Sequence, residues 1–72
     1  MTEANLAEGS EGDAVKALQT ALNARGAEPP LVVDGMFGPE TLKAVKHFQG
    51  GHSLEVDGIV GPKTKEALAS AA

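Results

Sequence analysis

Apolar residues along the chain fall into three stretches with helical spacing, separated by two stretches of another kind. Val15, Leu18 and Leu22 recur at steps of three and four, with Ala14 and Ala21 beside them, and so line one face of a helix. Ser10 predicts its N-cap, with Asp13 three residues on as a short-armed capping box, and Gly26 predicts the left-handed residue that closes it. Leu42, Val45 and Phe48 form the second stripe. It opens at Gly38-Pro39, with proline at the first helical position where its missing N–H costs nothing, and Gly50-Gly51 is expected to end it. The third stretch opens at Gly61-Pro62 by the same device and carries Ala67 and Leu68 before the Ala69-Ser70-Ala71-Ala72 tail. A helix this short holds only if it docks on the others.

The intervening stretches run extended into turns. Ala27-Glu28-Pro29-Pro30 reads as a loop, and Leu31-Val32-Val33 as an extended apolar run reaching Asp34-Gly35. His52-Ser53-Leu54-Glu55-Val56 alternates polar and apolar residues and reaches Asp57-Gly58. Asp-Gly pairs favour turns because glycine supplies the positive φ. These two loops are copies: Val33-Asp34-Gly35-Met36-Phe37-Gly38-Pro39-Glu40-Thr41 recurs 23 residues later as Val56-Asp57-Gly58-Ile59-Val60-Gly61-Pro62-Lys63-Thr64. In each copy Asp-Gly turns the chain back, an apolar plug (Phe37 or Val60) enters the core, and Gly-Pro launches a helix. The threonine at the third helical position is placed to bond back into the turn. A second echo joins the helices, Ala14-Val15-Lys16-Ala17-Leu18-Gln19 against Ala44-Val45-Lys46-His47-Phe48-Gln49.

The expected fold is therefore all-α, a compact three-helix bundle with two turn-plus-helix quasi-repeats. It forms one domain over residues 1–72, with the motifs in about 6–69. Its predicted core is Val15, Leu18, Leu22, Val33, Phe37, Leu42, Val45, Phe48, Leu54, Val56, Val60 and Leu68.

Composition narrows the functional classes. The 72 residues include no cysteine, so neither a disulfide framework nor a thiolate metal site supports the fold. Packing alone then leaves a net stability of about 3–5 kcal/mol. Ten acidic against six basic residues give a net charge of −4, and residues 1–13 hold four acids and no base. A phosphate backbone or an anionic membrane surface is thus a poor partner. The start, Met1-Thr2-Glu3-Ala4-Asn5, lacks the positive and apolar regions of a secretory signal. The chain is therefore expected to be an excised or mature segment, to leave the cytoplasm by another route, or to stay in it.

The ordered set Gly9-Ser10-Glu11-Gly12, Val15, Leu18-Gln19, Leu22, Gly26, Asp34-Gly35-Met36-Phe37-Gly38, Thr41, Ala44-Val45, Phe48-Gln49, Asp57-Gly58-Ile59-Val60-Gly61-Pro62, Thr64 and Leu68 resembles the peptidoglycan-binding domain family. These are small three-helix modules attached to bacterial and phage cell-wall hydrolases. The resemblance spans nearly the whole chain and implies non-catalytic binding of peptidoglycan, targeting an attached or associated protein to the wall. With it, the candidate ligand-binding residues are Asp34, Gly35, Phe37, Gly38, Thr41, Gln49, Asp57, Gly58, Ile59, Gly61 and Thr64. The same residues have structural uses: Asp34 and Asp57 accept N–H bonds within their own turns, and Gln19 and Gln49 tie down a neighbouring loop.

The chain holds no tryptophan or tyrosine, and the periodicity assigns both phenylalanines, Phe37 and Phe48, to the core. A sugar-stacking platform is therefore disfavoured, and a stem peptide is the preferred ligand over the glycan. Stem peptides carry carboxylates and often an amine, which Asp34, Glu55 or Asp57 near Lys43 or Lys63 would meet. No metal or other cofactor is expected, since His47 and His52 lie five apart across a glycine pair rather than at the i, i+4 spacing of a helical zinc site. No nucleophile arrangement appears, so an enzyme is not expected. A monomer is, because no heptad or long apolar run asks for a partner. The rival from another class is a protein–protein adaptor, in a phage tail, injection device or effector, that uses the same fold.

Overall fold

A computed structural model describes residues 5–27 and 30–70. The readings placed on Met1–Ala4, on Glu28-Pro29 and on Ala71-Ala72 lie outside the described residues. Three helices follow in order: α1, Asp13–Ala24; α2, Pro39–Gly51; and α3, Pro62–Ser70. Among the described residues no strand forms, and pairing is confined to two antiparallel bridges, Leu6 with Val60 and Glu11 with Met36. The segment before α1 thereby ties both repeat loops together. Leu6 exchanges two hydrogen bonds with Val60, at 3.2 and 2.7 Å, and Phe37 N–H donates to the Ser10 carbonyl at 2.9 Å.

The helix starts follow the sequence signals with one exception. Pro39 and Pro62 stand first in α2 and α3, as Gly-Pro predicts. At α1, however, Gly12 and not Ser10 is the N-cap, with φ 118°, and no side chain caps the helix. Ser10 is used one turn earlier: its Oγ accepts from Ala7 N–H at 3.1 Å while its own N–H donates to the Ala7 carbonyl. A hydroxyl held in that tight turn cannot also reach the first turn of α1.

The helix ends contain a second correction. α1 closes as expected, with Gly26 left-handed at φ 91° and Ala27 N–H donating back to the Leu22 carbonyl at 3.1 Å. In α2 the helix runs through both Gly50 and Gly51. Ser53 takes the left-handed position, at φ 59°, so that Leu54 N–H reaches the Gln49 carbonyl at 2.9 Å. The glycine pair is the last helical turn, not its terminator.

Among the described residues nine apolar ones form the core: Val15, Leu18, Leu22, Leu31, Phe37, Val45, Phe48, Val60 and Leu68. Leu6, Leu42 and Leu54 pack against it half-buried. Both predicted plugs, Phe37 and Val60, are buried, one from each repeat. Val33 and Val56, expected inside, are 44% and 52% exposed. After these valines the backbone faces inward, toward a buried glutamine, through the N–H groups of Asp34 and Gly35 at the first turn and of Gly58 at the second, which leaves the valine side chains outside. Leu31, at the start of the extended run, takes the interior place. Asn23 clamps its backbone from both sides, donating to the Leu31 carbonyl at 2.9 Å and accepting its N–H at 2.7 Å.

Candidate functional site

The loops are organised by two glutamines, each 1% exposed and fixed on a helix face by the apolar neighbours in its stripe. Gln19 Nε2 donates to Asp34 Oδ1 (3.0 Å), the Met36 carbonyl (3.0 Å) and Thr41 Oγ1 (3.1 Å). Its Oε1 accepts from the N–H groups of Asp34 and Gly35, both at 3.0 Å. Gln49 repeats the pattern with the second loop. Its Nε2 donates to Asp57 Oδ1 (3.1 Å), the Ile59 carbonyl (3.0 Å) and Thr64 Oγ1 (3.1 Å), and its Oε1 accepts from Gly58 N–H (3.0 Å). An amide NH₂ has two hydrogens for three oxygens, so at least one contact in each set is shared. The loop-anchoring role read from the sequence is therefore what the two glutamines perform. The threonines differ from expectation: each accepts from the glutamine of the preceding helix instead of bonding back into its own turn.

Each aspartate closes an Asx turn, with Asp34 Oδ1 accepting Met36 N–H and Asp57 Oδ1 accepting Ile59 N–H, both at 2.9 Å. The Gln19 bond and then the Met36 bond hold the Asp34 carboxyl below the ordinary aspartate range. For Asp57 the Ile59 bond lowers it most, partial burial opposes, and the Gln49 bond adds to the lowering. Both carboxylates are exposed and stay charged at neutral pH.

The glycines divide into two kinds. Gly35 and Gly58 are buried with φ of 78° and 74°, and a Cβ on Gly35 would stand 3.2 Å from the Gly12 carbonyl oxygen. Lys16 lies over Gly35 and Lys46 over Gly58, at matching places in the helix echo. Gly38 and Gly61 are half-buried, and a Cβ on Gly38 would meet nothing within 4 Å.

Two open grooves flank this scaffold. The first, about 570 Å³, lies along the second loop and includes Asn5, Glu55, Asp57, Ile59 and Lys63 in its lining. The other, about 500 Å³, lies along the first loop and includes Val32, Asp34, Met36, Pro39 and Glu40. Setting aside Asn5 and the two glutamines, every lining residue of the first groove stands 23 positions after a lining residue of the second. The grooves are thus repeat-related. Leucine, aspartate, glycine, proline and threonine are common to both; Pro30/Ser53, Val32/Glu55, Met36/Ile59 and Glu40/Lys63 differ.

The predicted site residues sort accordingly. Asp57, Ile59, Gly61, Thr64 and Gln49 meet at the first groove, and Asp34, Gly38 and Thr41 at the second. Phe37 is buried in the core, and Gly35 and Gly58 lie beneath the turns. Glu55, Asp57 and Lys63 gather at one groove as the charge argument anticipated; Asp34 lies in the other and Lys43 lines neither. Asn5 and Ser53 line the first groove without any sequence signal for it, since neither stands in the repeated block.

Three short helices joined by two glutamine-anchored loop copies, with open grooves along the loops, define a small all-α module built on a quasi-repeat. The profile of the family described as "Putative peptidoglycan binding domain" matches residues 11–68, and the chain belongs to this family. It is 47% identical over 50 residues to the zinc D-Ala-D-Ala carboxypeptidase of Streptomyces albus G, an alignment spanning 68% of this chain and 20% of that protein. Among solved structures, a Burkholderia AP3 phage endolysin superposes with a TM-score of 0.88 at 42% identity, covering 93% of this chain and 25% of the endolysin chain. The SleB N-terminal domain superposes with a TM-score of 0.89 at 36% identity, over 96% of this chain and 93% of that one.

Proposed function

We propose that this domain binds bacterial peptidoglycan without catalysis, through its stem peptide, and so holds an attached or associated protein at the cell wall. The observation that carries the choice of ligand moiety is the first groove. There Glu55 and Asp57 stand with Lys63 around the exposed Ile59, giving acceptors for an amine, a cation for a carboxylate and an apolar contact between them. Sugar stacking is disfavoured because Phe37 and Phe48 are both buried and the chain has no tryptophan or tyrosine. In this reading Asp57, Ile59 and Gly61 meet the ligand, while Gln49, Gly58 and Thr64 hold the loop in place.

Family membership and the likeness to an endolysin and a carboxypeptidase support action at the wall, outside the cytoplasmic membrane. Among the described residues no helix is long and apolar enough to cross a membrane. The domain acts as a monomer, and its contribution is local concentration: a tether on a repeating polymer keeps a joined protein near its substrate. The test is co-sedimentation with sacculi stripped of anionic polymers, competed by soluble stem peptide. Pelleting abolished by the peptide is the expected result. Pelleting abolished only by glycan fragments overturns the choice of moiety, and a folded domain that stays in the supernatant points to a protein–protein adaptor.

A further inference from the structure

The two grooves share a glutamine and five repeat-related lining residues, so the four positions that differ set what each can accept. In the first groove these positions include Glu55 and Lys63, charges of both signs. In the second they supply Val32 and Glu40, so that an apolar side chain replaces one charge and an acid replaces the only cation. The second groove therefore has Asp34 and Glu40 as its charged lining residues, both acidic, beside two bare apolar side chains: Val32 is 73% exposed and Met36 61%. Lys16 beside Gly35 has its counterpart in Lys46 beside Gly58, so the flanking lysines do not distinguish the grooves.

Large apolar groups exposed to water beside two acids, Glu40 and an Asp34 whose Oδ1 is already held by Gln19 and Met36, are what a site for an aliphatic chain ending in a cation presents: the stem covers the apolar surface and the head meets the carboxylates. We infer that the second groove is a separate binding site for an amine-ended aliphatic side chain, that of the diamino acid in a wall stem peptide, and that Glu40 in place of Lys63 makes it a site for cations where the first groove takes both signs. The source of the amine rests on the wall-binding reading above; the site itself does not. Two like grooves on one small domain would engage two stem peptides of the same polymer, which raises retention on the wall without any new contact within either site.

The test is a site-resolved titration of the ¹⁵N-labelled domain with soluble stem peptide carrying a free side-chain amine, and with the same peptide acetylated on that amine. The amides of Met36 and Thr41 report the second groove, those of Ile59 and Thr64 the first. The expected result is saturable shifts at Met36 and Thr41 with the free amine, weakened about twofold or more by acetylation, as loss of exposed ion pairing to two carboxylates implies. Glu40→Lys removes the Met36 and Thr41 response and leaves that at Ile59 and Thr64. Shifts confined to Ile59 and Thr64 overturn this proposal while leaving the wall reading intact, and an equal response to the acetylated peptide overturns the charge preference. Response at Met36 and Thr41 with Ile59 and Thr64 silent upholds the second site and sinks the assignment of the first. An equal response to a capped lysine peptide unrelated to the wall overturns the proposed source of the amine. Silence at all four overturns both sites.

Discussion

Replacing Gln49 by methionine keeps the length of the side chain and removes its hydrogen bonding. Gly58 N–H and the Ile59 carbonyl both have their hydrogen bonds to Gln49, and neither can turn outward without unmaking the turn that seats Val60 in the core. A buried backbone group left without a partner costs about 1–3 kcal/mol, so the two together cost about 2–6 kcal/mol. Against a total of about 3–5 kcal/mol for a domain of this size, Gln49→Met loses about two fifths of its stability or more. The equivalent change at Gln19 is milder. Asp34 N–H also donates to the Val32 carbonyl at 3.0 Å, and the Met36 carbonyl also accepts from Gly38 N–H at 3.1 Å. Only Gly35 N–H is stranded, a loss of about 1–3 kcal/mol. Urea unfolding followed by far-UV circular dichroism separates the two variants. If Gln49→Met loses less than about 1 kcal/mol, or less than Gln19→Met, water reaches these loops and the glutamines do not hold them as argued.

Leu18→Ala and Phe48→Ala each remove buried core volume and cost about 2–5 kcal/mol; a cooperative melt near the parent temperature would show the core is misassigned. Gly35→Ala forces a left-handed alanine against the Gly12 carbonyl and loses at least about 1–2 kcal/mol, whereas Gly38→Ala enters open space at an ordinary φ and stays within about 0.5 kcal/mol. Equal melting temperatures for these two variants would remove the backbone argument. For pH the sign follows from depressed carboxyls: Asp34 and Asp57 contribute stability that is fully present above the ordinary aspartate value of 3.8 and is lost as pH falls through their lower folded values. The double variant Asp34→Asn with Asp57→Asn therefore shows a shallower acid limb in its stability-against-pH curve, and an unchanged limb would place the acid sensitivity elsewhere.

Much of this architecture is legible one residue type at a time. Gly-Pro marks both later helix starts because proline at N1 has a backbone reason to be there, and the apolar plugs after Asp-Gly enter the core as the repeat implies. The glutamine ties are foreshadowed by their matching places at the helix echo. What escapes the sequence depends on contacts between distant segments. Ser10 looks like a cap until the Ala7 turn takes its hydroxyl. Gly50-Gly51 looks like a stop, yet Ser53 accepts the left-handed turn because Leu54 N–H finds the Gln49 carbonyl. Val33 and Val56 look interior from hydropathy alone, and only the inward backbone bonds to the glutamines turn them out. The pairing of the grooves is hidden for a similar reason: of residues 30–32 and 53–55 only the leucine is shared, so the repeat fades where the groove walls diverge in chemistry.

The claim that the first groove grips the wall is tested most directly by co-sedimentation of Lys63→Glu and Lys43→Glu with purified sacculi, beside the unaltered domain. Both lysines are exposed on helices and both changes alter the net charge equally, but only Lys63 lines the groove. The account predicts that Lys63→Glu weakens pelleting while Lys43→Glu matches the parent, with circular dichroism showing all three equally folded. Equal loss in both variants would reduce the effect to net charge, and full pelleting of Lys63→Glu would contradict the groove as the wall-binding site.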